Sequence, residues 1–133
     1  MPKILAFSLL FILIGCYSTE RDCSDFKTGT FEFETLVGTE LMKSKFIRND
    51  SIEIDYFNNK IDTFSIRWIN DCEYVMKKLR PKNQEEKKPV QFRILSTQGD
   101  EYTFEYSMVI NRKNQKLVVK QGTAKKISSD IVN

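Results

Sequence analysis

Apolar and polar residues alternate along most of the chain, and the alternation marks out strands. Thr30-Phe31-Glu32-Phe33-Glu34 sets two phenylalanines on one side of an extended backbone and two acids on the other. Ile52-Glu53-Ile54-Asp55-Tyr56, Phe64-Ser65-Ile66-Arg67-Trp68, Val90-Gln91-Phe92-Arg93-Ile94 and Tyr102-Thr103-Phe104-Glu105-Tyr106-Ser107-Met108 repeat the scheme. Successive side chains of a strand point to opposite faces, so a period of two with one apolar phase predicts a half-buried strand. Leu41 to Ile47, Cys72 to Leu79 and Leu117 to Ile127 complete a set of eight. The gaps hold turn formers: Gly38-Thr39, Asn49-Asp50, Asn58-Asn59, Asn70-Asp71, Gln98-Gly99-Asp100 and Asn111 to Gln115. Asn, Asp and Gly tolerate the positive φ of tight hairpins. A longer loop spans Pro81 to Pro89, where a proline at each end discourages strand continuation.

Eight strands with one apolar face each must close on a common core, and closure also removes exposed edges. The pattern predicts a single all-β domain over residues 26–133, an antiparallel meander forming an up-and-down barrel or a flattened clam. A two-sheet sandwich is the alternative, which alternation alone does not separate from the barrel. Lys27-Thr28-Gly29-Thr30-Phe31 resembles the Gly-x-Trp opening of lipocalin-like barrels, with Phe31 in the aromatic place. The basic residue that lipocalins pair with this motif is not identifiable from sequence. The resemblance implies a barrel able to hold a small apolar ligand, although fold analogy alone does not establish binding.

The amino terminus reads differently. Lys3 precedes an apolar run from Ile4 to Ile14 that is interrupted only by Ser8. Such a run is shorter than the roughly 18 residues that a membrane-spanning helix needs, and it matches the plan of an export signal. Its ending, Leu13-Ile14-Gly15-Cys16, resembles the bacterial lipobox. The resemblance implies cleavage before Cys16, diacylglycerol on its sulfur and an acylated amine. Residues 1–15 are then a signal peptide, and residues 16–25 are a lipidated cysteine with a short tether. Tyr17 follows the cysteine in place of the Asp that retains many lipoproteins at the inner membrane. The expected location is therefore the cell envelope, lipid-anchored at the outer membrane.

Export bears on the other cysteines. The chain has three, and with Cys16 committed to lipid, Cys23 and Cys72 are expected to pair in an oxidising compartment. No Cys-x-x-Cys spacing suggests a redox role. Cleavage before Cys16 removes one of 21 basic residues and no acid, leaving 20 against 18. The charges alternate along the chain, without the basic patch expected of a nucleic-acid binder. The one dense cluster, Lys82 to Lys88, is internally balanced and reads as a solvated loop.

Candidate chemistry is sparse. There is no histidine, which removes the commonest general base and metal ligand. Glu32, Glu34, Glu53, Asp55, Glu101 and Glu105 lie on the polar phase of their strands and are expected to face solvent. Asn49-Asp50 with Glu53 and Asp55 has too few oxygen ligands and no turn glycine for a calcium loop. The five glycines are scattered, so no phosphate loop exists. No enzyme activity, cofactor, metal or nucleic-acid partner is expected.

Asp22 to Phe31, Phe64 to Tyr74 and Gly122 to Ile127 together resemble small envelope lipoproteins of Bacteroidota. The likeness covers most of the mature chain and implies no particular activity. Some of that group carry an automatic topoisomerase IV label, which a short exported chain without a nicking-tyrosine context does not support. Asp50-Ser51-Ile52 fits the Asp-Ser/Thr-aliphatic pattern of O-glycosylation in those bacteria. Two functions follow: an anchored domain that binds a protein or envelope component, or a lipocalin-like carrier of a small apolar ligand. The carrier would line its interior with Phe31, Phe33, Ile54, Phe64, Trp68, Phe92, Phe104 and Tyr106. Trp68 shares the apolar phase of Phe64 and Ile66, so its expected place is the core. The interior separates the two functions. Aromatic side chains that fill it completely argue against the carrier, and an open cavity of several hundred Å³ argues for it.

Overall fold

The computed structural model describes residues 21–109 and 118–130. Eight antiparallel strands follow in chain order: β1 Gly29–Val37, β2 Glu40–Arg48, β3 Ile52–Phe57, β4 Lys60–Asn70, β5 Glu73–Lys78, β6 Val90–Gln98, β7 Glu101–Met108 and β8 Val119–Ser128. Each pairs with the next and β8 returns to β1, which makes a closed up-and-down barrel and not a sandwich. Every strand overlaps the segment that alternation predicts. The signal segment, Cys16, Tyr17 and the Asn111–Gln115 turn lie outside the described residues.

The hairpins follow from local chemistry. Asn58 and Asn59 both take positive φ, 49° and 61°, and make the tight β3–β4 turn. At the β2–β3 turn the Asn49 side-chain oxygen accepts the backbone N–H groups of Ser51 and Ile52 at 2.9 and 2.8 Å. Ser51 itself is exposed there.

The short connections β2–β3, β4–β5 and β6–β7 share one end of the barrel, and the segment before β1 closes that end. A 3-10 turn at Ser24–Phe26 buries Phe26. Cys23 is bonded to Cys72, just before β5, with Cα atoms 5.3 Å apart. Arg21 Nε donates to the Ile94 carbonyl at 2.8 Å, and Thr97 Oγ1 accepts the Asp22 N–H at 2.8 Å. Lys27 pairs with Asp71 at 3.0 Å, and Lys126 Nζ donates to the Asp25 carbonyl at 2.5 Å. Gly29 sits where β1 passes the end of β8, with φ +133°. A Cβ there would lie 2.7 Å from the Ser128 carbonyl oxygen, so only glycine fits the approach.

The inner face is strongly aromatic. Phe31 stacks on Phe46 at 4.9 Å and Tyr74 stacks on Phe92 at 5.0 Å. Gly122 makes room for a third ring, because a Cβ there would come within 2.8 Å of Phe104 Cζ. Phe64 and Trp68 pack around Ile66, Tyr74 and Met76. On the outer face Arg93 pairs with Glu73 at 2.9 Å and Glu105 at 3.4 Å, joining three strands.

β3 departs from expectation. Glu53 is only 4% exposed and lines the interior together with Asp55, whereas Ile54 points outward. Ile54 stands opposite Ile47 and Thr63 on the neighbouring strands, so it is no wall of the interior. The cause is Arg48, which ends β2 on the inner phase and faces Glu53 directly across the hairpin. A buried guanidinium needs a carboxylate, and that need overrides the apolar preference of the two isoleucines. The expectation that Glu53 and Asp55 face solvent is therefore reversed.

Candidate functional site

Arg48 forms the floor of the interior. It is 1% exposed, and each face of its guanidinium environment is specified. Nε donates to Glu53 Oε2 at 2.6 Å and Nη1 to the Phe26 carbonyl at 3.0 Å. Nη2 donates to the hydroxyls of Tyr74 at 2.7 Å and Tyr102 at 3.3 Å. The cation also lies 4.6 Å from the Tyr74 ring centroid and 5.1–5.2 Å from those of Phe46 and Phe31. Burial opposes this charge, but Glu53 and the two tyrosines more than offset it and hold the guanidinium well above its ordinary pKa. Burial also pushes the Tyr74 and Tyr102 hydroxyls up, against the pull of Arg48, so both stay protonated donors and acceptors.

Above this floor the barrel is not filled. A cavity of about 210 Å³ lies among Phe33, Phe46, Tyr74, Phe92, Phe104 and Tyr106, with Arg48, Glu53, Asp55 and Tyr102 also on its walls. At about 30 Å³ per molecule in the liquid, that is room for roughly seven waters or one single-ring organic molecule. Phe33, Asp55 and Tyr106 also border a vestibule of about 340 Å³, which Ser44, Phe57, Lys60 and Asp62 complete. The vestibule lies toward the β3–β4 turn, at the end of the barrel opposite the Cys23–Cys72 bond.

Asp55 stands between the two spaces. Burial first, and the adjacent Glu53 second, push its carboxyl from the ordinary 3.8 up to about 9, only partly countered by Arg48. It is therefore a neutral acid at pH 7. Its Oδ1 is buried without a hydrogen-bond partner, as is Ser44 Oγ, whose residue is 4% exposed. Beside the vestibule Lys78 pairs with Asp62 and Glu86, each at 3.2 Å.

Of the residues predicted to line a ligand site, the structure brings Phe33, Phe92, Phe104 and Tyr106 to the cavity. Phe31 is fully buried against Phe46 and Tyr102. Trp68 packs on Tyr74 at 4.6 Å, with Lys27 Nζ 5.3 Å from its ring. Asp50 is exposed in its turn while Glu53 is inside, so the two do not converge on a metal. Among the described residues no group of three Cys, Asp or Glu side chains is placed to hold an ion.

Sequence reasoning missed Ser44, Arg48, Glu53 and Asp55. A signal for Arg48 was present: Lys43 and Lys45 mark the outer phase of β2, which leaves Ser44, Phe46 and Arg48 on the inner one. A larger groove of about 730 Å³ lies where the β1–β8 register ends at Phe33 and Ala124. Its walls carry Glu32, Glu34, Lys43, Glu101 and Lys125, of which Glu34 and Lys43 pair at 3.6 Å, and among the described residues none of its lining side chains has a buried polar atom in need of a partner.

No family model, curated protein or solved structure matches the chain.

Proposed function

We propose that this chain is a non-enzymatic binding protein of the bacterial envelope, held on a membrane by lipid on Cys16, whose barrel takes a small molecule into its interior. One observation carries the reading: a cavity of about 210 Å³ with Asp55 on its wall, a residue whose Oδ1 is buried without a partner. A core shaped only for stability would fill the space or satisfy the group, because interiors are close-packed and buried polar atoms are almost always bonded. The adjoining vestibule supplies an entrance, and the aromatic walls supply apolar contact.

The closed end supports the anchor. Arg21 and Asp22 are fastened to β6 there, five and six residues after Cys16. A lipid on Cys16 would leave the mouth facing away from the bilayer. Catalysis is the weaker use of the site. Glu53 is committed to Arg48, and Asp55 and Ser44 offer unpartnered polar atoms but no histidine to activate a nucleophile. Exposed Leu41, Phe57, Ile61 and Val119 around the open end favour docking of a protein as the second reading.

The test is a titration with phenethyl alcohol, a neutral single-ring probe, followed by aromatic NMR. Saturable shifts are expected in the ring signals of Phe92, Phe104 and Tyr106, and Ser44→Phe should reduce them. If no single-ring probe, neutral or charged, moves those signals at millimolar concentration, the interior is not a ligand site.

A further inference from the structure

Resting on the reading of the interior as a ligand site, we propose that its ligand is a small cationic amine with one ring. The ring lies among the aromatic walls, and the ammonium lies against Asp55 and Ser44. The pairing of the acids on these walls points to a cation. Arg48 is matched by Glu53, and its guanidinium makes four hydrogen bonds, to Glu53, Phe26, Tyr74 and Tyr102. Asp62 is matched by Lys78. Asp55 is the acid on these walls for which the described residues provide no paired cation of its own. Lys60, the basic residue of the vestibule, is exposed at the rim.

Geometry adds two further observations. Ser44 Oγ is buried, lacks a partner and lines the same vestibule as Asp55, so it can accept a second N–H of an ammonium. The Phe33 and Tyr106 rings border both spaces at the level of Asp55, and aromatic faces attract a cation held beside them. An anion at the same point would meet the charges of Glu53 and Asp62, with the Arg48 charge already engaged and Lys60 out at the rim.

Binding then has a proton balance. The amine enters as RNH₃⁺, the O–H bond of Asp55 breaks, its proton passes to solvent, and the carboxylate pairs with the ammonium. The groups facing Asp55 are Glu53 on its own strand, Ser44 and Arg48 from β2, Lys60 and Asp62 from β4, and Tyr106 from β7. With no histidine among these groups, the proton released between pH 6 and 8 is that of Asp55.

The experiment compares phenethylamine, phenethyl alcohol and phenylacetate with the full folded domain, by calorimetry in two buffers and by aromatic NMR. A charge-assisted hydrogen bond predicts that the amine binds about tenfold tighter than the alcohol at pH 8. That advantage should shrink toward pH 6, about one proton should be released per amine bound, and Asp55→Asn should abolish the difference. Alcohol or phenylacetate binding as tightly as the amine at pH 8, or an amine preference that survives D55N, would overturn the proposal. In those cases the interior remains a ligand site for another class; absence of binding by all three removes both readings. Should D55N lose its folded spectrum, Ser44→Ala replaces it: the amine should weaken more than the alcohol, and equal weakening counts against the proposal.

Discussion

Replacing Asp55 with Asn should change how stability depends on pH more than it changes the structure. In the folded protein burial and Glu53 raise the Asp55 pKa to about 9, whereas the ordinary value is 3.8. Between those values the folded state holds a proton that the unfolded chain releases. Folding takes up a proton, so stability falls as pH rises across that window; below 3.8 both states are protonated and the residue adds no slope. One proton corresponds to at most about 1.4 kcal/mol per pH unit, or about 3 kcal/mol between pH 5.5 and 7.5. Domains of this kind are stable by only about 5–15 kcal/mol, so the effect is large. The amide of Asn has nearly the shape of the protonated acid and no titration, so D55N should lose this slope. The assay is urea unfolding of both proteins with the disulfide intact, at several pH values across the window. At ordinary m-values the gap between the two midpoints should widen by roughly 1–3 M urea. No histidine titrates in that range to obscure the comparison. Parallel stability curves for wild type and D55N from pH 5.5 to 7.5 would refute the neutral acid, and with it the reasoning from burial.

Reducing the Cys23–Cys72 bond, which spans 49 residues of sequence, should lower stability by up to about 4 kcal/mol. Urea midpoints with and without a phosphine reductant measure this, and coincident midpoints would contradict it. Arg48→Met leaves Glu53 buried and unpaired, and should cost about 3–5 kcal/mol. Arg48→Met combined with Glu53→Leu should recover most of that loss; a double variant as weak as the single one would show that the pair is not the cause. Cys16→Ser should abolish labelling by a palmitate analogue in cells and leave an uncleaved precursor. Continued labelling would dispose of the proposed anchor.

Most of the fold was legible in the sequence because one short-range rule governs it. Alternation located all eight strands, and residues such as Asn58-Asn59 located the turns, since both signals lie within a few residues of each other. The barrel with its β1–β8 seam was legible only as the economical way to bury eight apolar faces. The site was mostly illegible. Period-two patterning reports which residues share a face, but not which face is inside. On β3 the usual inference, isoleucines in and acids out, gives the wrong answer because Arg48 on another strand requires Glu53 opposite it. That requirement is visible only once β2 and β3 are paired in register. The aromatic walls were found because Phe33, Phe92, Phe104 and Tyr106 obey the pattern, and the polar end of the cavity was missed because Asp55 and Ser44 do not.

The Cys23–Cys72 bond also has a mechanical meaning. In the ring of eight strands β5 lies diametrically across from β1, so the bond carries the chain from the approach to β1 over to the β4–β5 turn. A pull on the chain ahead of Cys23 therefore has a covalent path into the β4–β5 hairpin, beside the path through Ser24 to Thr28 into β1. The β1–β8 seam, where register extends only over Thr30–Phe33, lies off the path through the bond. The bond thus acts as a strain relief. Tension that would peel the first strand from the barrel is shared with a hairpin on the opposite wall.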